Sequence, residues 1–210
     1  METYTGGAKQ YKEHKLRRPM DRKQTTKFLT KTLIDTRLSD RKYYAKEVTL
    51  DYGTSHPKRI DVMEFKPQGV TYASDIEKGI FVCYEVKSCY ADVYSGNGLN
   101  FYGEKNYIVT TMETYKKLQE DMRSGKLDSH ICNFMGVNTC PNFGIMVPVP
   151  SFISLKYTDR LYAEYDNPTP IDDSEAWQLW TILPQQRENH RVRSMNELLF
   201  CMLRAKTNGN

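Results

Sequence analysis

The chain has 210 residues, enough for one domain with elaborations, and 39% of them are hydrophobic. Its 15 tyrosines and 8 phenylalanines supply large burying surfaces, so the composition argues for a sizeable core and against a disordered chain. Net charge is only +4, yet residues 1–24 carry seven Lys or Arg against three acids and residues 185–210 carry five against two. Basic ends around a slightly acidic centre suit a polyanionic substrate. There is no run of eighteen apolar residues and no apolar leader, so neither membrane spanning nor secretion is expected. Five cysteines without a CxxC pair fit the reducing cytoplasm.

Residues 1–20 read as a flexible basic segment, interrupted by Gly6, Gly7 and Pro19. A helix is predicted from an Asp21 N-cap to Asp40, with Phe28, Leu29, Leu33, Ile34 and Leu38 as its apolar stripe. Tyr43 to Leu50 reads as a strand, with Val48 and Leu50 on one side and Tyr43, Ala45, Glu47 and Thr49 on the other. After a turn from Asp51 to Pro57, two strands, Arg59–Phe65 and Ile80–Lys87, are predicted to pair across a loop at Pro67–Gly79. Ser88–Gly98 is rich in turn residues, and a short helix is expected over Leu99–Glu104. A strand at Asn106–Thr111 and an amphipathic helix over 113–123 follow, the latter with Tyr115, Leu118 and Met122 inward. Phe143–Val149 reads as an edge strand because of Pro148 and Pro150. Residues 165–175 are acidic and proline-bearing and read as a loop. Trp177 and Trp180 stand one helical turn apart and read as core. A last helix is expected over Asn189–Lys206, with Val192, Met195, Leu199 and Met202 as its stripe.

A crossover between strands demands a parallel pairing, so the expected fold is α/β or α+β: a mixed central sheet flanked by helices. Residues 21–206 are expected to form one domain with an insertion or extension around 126–185. His130, Cys132 and Cys140 lack the second ligand pair of a zinc site.

The informative stretch is the predicted hairpin. Strand side chains alternate, so Glu85 and Lys87 share a face with Phe81 and Cys83, and Asp61 shares a face with Met63 and Phe65. If the hairpin closes near Lys66 and Ile80, Asp61 stands directly opposite Glu85. Glu64 then points away from both. Facing carboxylates repel unless something compensates, and a divalent cation does so. An ordinary surface ion pair between Glu85 and Lys87 leaves Asp61 unexplained.

Asp61 followed by Glu85-Val86-Lys87 resembles the signature of the PD-(D/E)XK nuclease superfamily, which has the restriction-endonuclease-like fold. Ser88, Asp92, Tyr102, Lys105 and the strand Asn106–Val109 resemble its MmcB-like DNA-repair nucleases, over about residues 21–125. Ile60 stands where the signature has proline, the loop at 67–79 looks longer than usual, and residues 126–185 have no counterpart.

The resemblance implies Asp61, Glu85 and the Val86 carbonyl as ligands of Mg²⁺ or Mn²⁺, Glu47 as an outer ligand, and Lys87 as the residue that orients water and offsets phosphate charge. Ser88, Asn100, Tyr102 and Lys105 are candidates to touch the DNA backbone, and the basic C-terminal segment adds Arg191, Arg193 and Arg204 on the last helix. The function it implies is metal-dependent hydrolysis of DNA phosphodiester bonds by an endonuclease, in repair or in a phage or mobile element. Two alternatives remain: a nuclease fold that binds nucleic acid without turnover, and a protein-interaction or anti-defence module with a tyrosine-rich surface. A homodimer and a protein partner are both compatible with the sequence.

Overall fold

The computed structural model describes residues 20–40, 43–96, 98–151 and 176–207. The basic segment before Met20 and the acidic loop predicted at 165–175 fall outside them. Helix α1 (Arg22–Leu33) begins at a full capping box: the Gln24 N–H donates to Asp21 Oδ1 (2.8 Å), and the Asp21 N–H donates to Gln24 Oε1 (3.0 Å). It buries Phe28, Leu29 and Leu33, as the stripe requires. The predicted single helix instead ends in a π-helical turn over Ile34–Leu38, which buries Leu38.

Strands β1 (Tyr44–Leu50), β2 (Lys58–Lys66) and β3 (Ile80–Lys87) form an antiparallel meander, with a short helix α2 (Ala73–Glu77) inside the β2–β3 loop. A one-turn helix α3 (Tyr90–Val93) and an extended segment lead to β4 (Lys105–Thr110), which runs parallel to β3. Helices α4 (Met112–Arg123) and α5 (Lys126–Met135) then lead to β5 (Gly144–Pro150), parallel to β4. Strand β6 (Trp177–Leu183) is antiparallel to β5, and α6 (Met195–Thr207) closes the described chain. The result is a six-stranded mixed sheet whose spatial order is β1-β2-β3-β4-β5-β6.

Each face of the sheet carries its own core. Helix α1 covers one, over Val62, Val82, Tyr84, Val86, Val109, Met146 and Leu179. On the other face, α6 covers the β1–β3 half, burying Leu198 and Cys201 against Ile60, Met63, Phe81 and Cys83. The β4–β6 half is covered by Leu118 of α4 and by Leu127 and Ile131 of α5.

Several expectations are corrected. The segment 99–104 is not a helix. Gly98 has φ +79°, and a Cβ on Gly103 would stand 2.6 Å from the Phe81 carbonyl, so the chain runs tight and extended against β3. Helix α5 was not anticipated; it is bracketed by Gly125 and Gly136, both left-handed, and buries Leu127 and Ile131. Strand β5 is not the edge, since β6 lies outside it. Its ladder with β4 stops at Met146, so Pro148 and Pro150 have no β4 partner to donate to.

Trp177 and Trp180 lie on a strand, where a separation of three places them on opposite faces. Trp177 meets Phe28 edge-on at 5.6 Å, and Trp180 packs into the α4–α5 core. The last helix starts at Met195 rather than Asn189, because the residues before it are pinned in extended form by Asn189 N–H to the Glu104 carbonyl (2.9 Å). Val192, expected in its stripe, is 73% exposed, and the buried positions are Leu198, Cys201 and Met202. Ala45, expected on the outer side of β1, packs with Val48 and Leu50.

That last difference has a local cause. Glu47 has φ +53° and makes no ladder pair, while Lys46 pairs with Val62 and Val48 with Ile60. Both strands switch face there. Ala45 and Met63 before the kink, and Val48 and Ile60 after it, all enter the α6 core.

Candidate active site

The β2–β3 pairing runs from Lys66–Ile80 to Val62–Tyr84. This is the predicted register, and its next step sets Asp61 against Glu85. There the side chain replaces the ladder: the Val86 N–H donates to Asp61 Oδ2 at 2.8 Å. Asp61 is thereby fixed against the residue between Glu85 and Lys87. Lys87 Nζ stands 3.7 Å from Glu85 Oε2, and both side chains are nearly sealed, at 4% and 1% exposure. The Lys87 backbone is held in turn, with its carbonyl accepting from Thr110 Oγ1 at 2.6 Å.

Asn100 braces the site from the extended segment after α3. Its N–H donates to Glu85 Oε1 (3.2 Å), and its Nδ2 donates to the Arg59 carbonyl (2.7 Å), two residues before Asp61. Asn100 thus spans the two strands whose carboxylates meet. Ser88 turns the chain out of β3: its N–H and its hydroxyl both donate to Asp92 Oδ2 at 3.0 Å. The Arg22 guanidinium pairs with the other Asp92 oxygen, so the start of α1 is tied to α3.

The electrostatics follow from burial. Burial raises the Asp61 pKa above 3.8, against the opposing pull of Lys87, the Val86 N–H and Arg59. Burial and then the Asp61 charge push Glu85 well above 4.5, opposed by Lys87 and the Asn100 N–H. Asp92 behaves oppositely. Burial alone would raise it, but the two Ser88 hydrogen bonds and the charges of Lys87 and Arg22 leave it below 3.8. Glu47 is raised above 4.5 by burial, with Arg59 opposing and Asp61 adding; it pairs with Arg59 at 2.8 Å and is largely exposed.

The predicted residues therefore divide. Asp61, Glu85, Lys87, Ser88 and Asn100 come together, with Glu47 at the margin through Arg59. Tyr102, Lys105, Arg191 and Arg193 do not join them. Tyr102 lies under the Arg193 guanidinium (5.6 Å), and Arg193 pairs with Asp51 (2.8 Å) and Glu197 (3.1 Å). Lys105 reaches Glu188 at 3.3 Å. Arg191 pairs with Glu104 at 3.0 Å and donates to the Gly79 carbonyl, at the far end of β3 from Glu85. Arg191 and Arg193 precede α6 instead of lying on it. Glu64 points to the α1 face, as expected, and accepts from the Tyr84 hydroxyl at 2.9 Å. His130 is a structural residue, over the Tyr94 ring and 3.2 Å from the Val93 carbonyl.

A hard divalent cation suits the donors present. Asp61 and Glu85 offer carboxylate oxygens, and burial with mutual repulsion makes a compensating positive charge favourable there. The side-chain set is sparse: among the described residues, no group of three or more His, Cys, Asp or Glu is arranged to hold a metal. Mg²⁺ takes such sparse sets, since it keeps several waters and uses one or two carboxylates plus substrate phosphate. Among the described residues, no helix is long and apolar enough to cross a membrane. No family model, curated protein or solved structure matches the chain.

Proposed function

We propose that this chain is a metal-dependent nuclease of the PD-(D/E)XK type, hydrolysing DNA phosphodiester bonds. The observation that carries the reading is the Asp61 carboxylate bonded to the Val86 N–H, between Glu85 and Lys87. A carboxylate pair with one lysine, placed where the pairing of two strands gives out, is the constellation that metal-assisted phosphodiester hydrolysis needs. The element order supports it: a helix, a three-stranded antiparallel meander, then a crossover to a parallel fourth strand. That is the order expected of a restriction-endonuclease-like core.

Asp61, Glu85 and the Val86 carbonyl would hold Mg²⁺ or Mn²⁺. Bound there, the ion supplies Lewis-acid polarisation of the phosphate and a water of lowered pKa. The protein's own residues do the rest. Asn100 keeps Glu85 aimed by fixing one of its oxygens. The Val86 N–H fixes Asp61. Lys87 sets a positive charge beside both carboxylates, where it offsets the charge that develops on the phosphate oxygens. A second reading, a nuclease-like fold that binds nucleic acid without turnover, is favoured by the near-complete burial of Glu85 and Lys87.

The deciding experiment incubates labelled duplex, single-stranded, flap and junction DNA with Mg²⁺, Mn²⁺ or EDTA. Cleavage is expected with either metal and not with EDTA. Glu85→Ala and Lys87→Ala are each expected to lower the rate by about 100-fold or more while the protein still melts cooperatively. A folded wild type that cleaves none of these forms would leave the second reading in place.

A further inference from the structure

Away from Glu85, the α1 face holds a cavity of about 470 Å³ between the π-helical turn and the sheet. Its place follows from the register. Tyr84 and Tyr107 pair across β3 and β4, Lys105 begins β4, and Lys66 ends β2, all on the face that α1 covers only in part. Arg37 enters from the π-helical turn, and Thr36 and Thr181 add hydroxyls. Three cationic side chains thus line one polar cavity, against a single lining carboxylate, Asp40.

The cavity wall is built. Arg37 donates to the Leu179 carbonyl (2.9 Å) and to Thr181 Oγ1 (3.2 Å), and the Leu179 N–H donates to Thr36 Oγ1 (3.3 Å). These bonds tie the π-helical turn to β6. Such turns widen a helix and recur at functional sites. Here the turn carries both Thr36 and Arg37 to the cavity. Lys66 and Lys105 are each positioned by one acid, Glu64 at 3.4 Å and Glu188 at 3.3 Å. Three cations and one carboxylate line the cavity, so it suits an acceptor-rich anion that competes with Glu64 and Glu188 for the two lysines. Tyr107 stacks on Tyr84 at 5.8 Å between ring centres, its ring also lies close over Gly144, and it is half-buried, so the part of the ring that borders the cavity is what a planar base would meet. The volume lies within the range of small-molecule sites.

We propose that this cavity binds a phosphate monoester of mononucleotide size. Arg37, Lys66 and Lys105 receive the phosphate, and Tyr107 receives the base. The site uses none of Asp61, Glu85 or Lys87, so it stands or falls apart from the nuclease reading.

The test is calorimetric titration of the whole chain, without metal, using deoxyadenosine monophosphate, inorganic phosphate and deoxyadenosine. The monophosphate is expected to bind in equimolar ratio and at least about tenfold tighter than either fragment. The double variant Lys66→Gln, Lys105→Gln is expected to lose about tenfold or more in affinity while its melting temperature stays near that of the wild type. Amide shifts in the wild type give a readout that no variant can spoil by misfolding. The monophosphate should move Thr36, Arg37, Tyr107 and Thr181. Absence of binding, shifts confined to residues around Glu85, or undiminished affinity in a folded double variant would overturn the site. Inorganic phosphate binding as tightly as the monophosphate would overturn the assignment of a nucleotide.

Discussion

Asp61 and Glu85 are two acids whose native environment favours the proton. Their folded pKa values lie above the ordinary 3.8 and 4.5, so the native state holds protons that the unfolded chain releases. Their contribution to stability is therefore fully present below the unfolded pKa and is lost as pH rises through the folded values. Asp61→Asn keeps an acceptor for the Val86 N–H and removes one charge. In EDTA at neutral pH it is expected to melt about 2 °C or more above the wild type, with a shallower loss of stability as pH rises from 4 to 8. Mg²⁺ at ten times its Kd would stabilise the wild type by about 1.4 kcal/mol, and Asp61→Asn should lose most of that shift. Thermal melts of both proteins across pH, with EDTA and with Mg²⁺, check all three outcomes. A lower melting point for Asp61→Asn together with an undiminished Mg²⁺ shift would remove Asp61 from the site. The meeting of Asp61 with the Glu85–Lys87 stretch was legible because the hairpin register is read from spacing alone. Asn100's bracing role was not, because it works through its own N–H and through a carbonyl 41 residues away, which no side-chain pattern encodes. Asp92 was legible only as part of a motif; its grip on Ser88 and Arg22 depends on where α1 begins.

Among the elements, β1 holds the feature a sequence pattern hides best. Glu47 adopts φ +53°, which costs a non-glycine residue about 1–2 kcal/mol, and the strand changes face there. Alternation counted through such a kink comes out inverted, which is why Ala45 was misplaced. Glu47→Gly should raise stability by about 1 kcal/mol, whereas Glu47→Ala, which keeps a Cβ, should not. Denaturant midpoints of the two variants separate relief of the backbone from loss of the Arg59 pair, because both remove the pair. If both variants shift the midpoint alike, backbone strain at Glu47 is not the controlling effect. Other elements misled for different reasons. Trp177 and Trp180 fit a helical turn as well as two faces of one strand, and two residues cannot tell the periods apart. The 99–104 segment has apolar residues at plausible helical spacing, but the close passage of Gly103 over the Phe81 carbonyl rules a helix out.

For the molecule as a whole, the helices divide the work unevenly. Among the described residues, helix α6 is the helix that covers the β1–β3 half of one face, and Leu198 is its fully buried residue. Leu198→Ala is expected to cost about 2–5 kcal/mol by urea titration, while Val192→Ala, just outside the helix, should stay within about 0.5 kcal/mol. Equal effects would mean that α6 does not dock through Leu198. The mixed sheet and its flanking helices were legible, since strand and helix periods and the need for a parallel crossover are local signals. The sixth strand and the split of one face between two helical layers were not, because they depend on partners far apart in the chain. Strand order in space also repeats strand order in the chain, so each strand meets a neighbour that has already emerged when the protein is synthesised. The antiparallel meander β1–β3 grows by short closures, whereas β5 can join β4 only after α4 and α5 have been made. The last steps return to the beginning: Trp177 docks on Phe28, Arg37 on Leu179 and Thr181, and α6 on β1. A nascent chain that has not yet delivered residue 177 therefore carries the Phe28 side of α1 without its last cover, and this flank of the core closes only when the far end of the chain arrives.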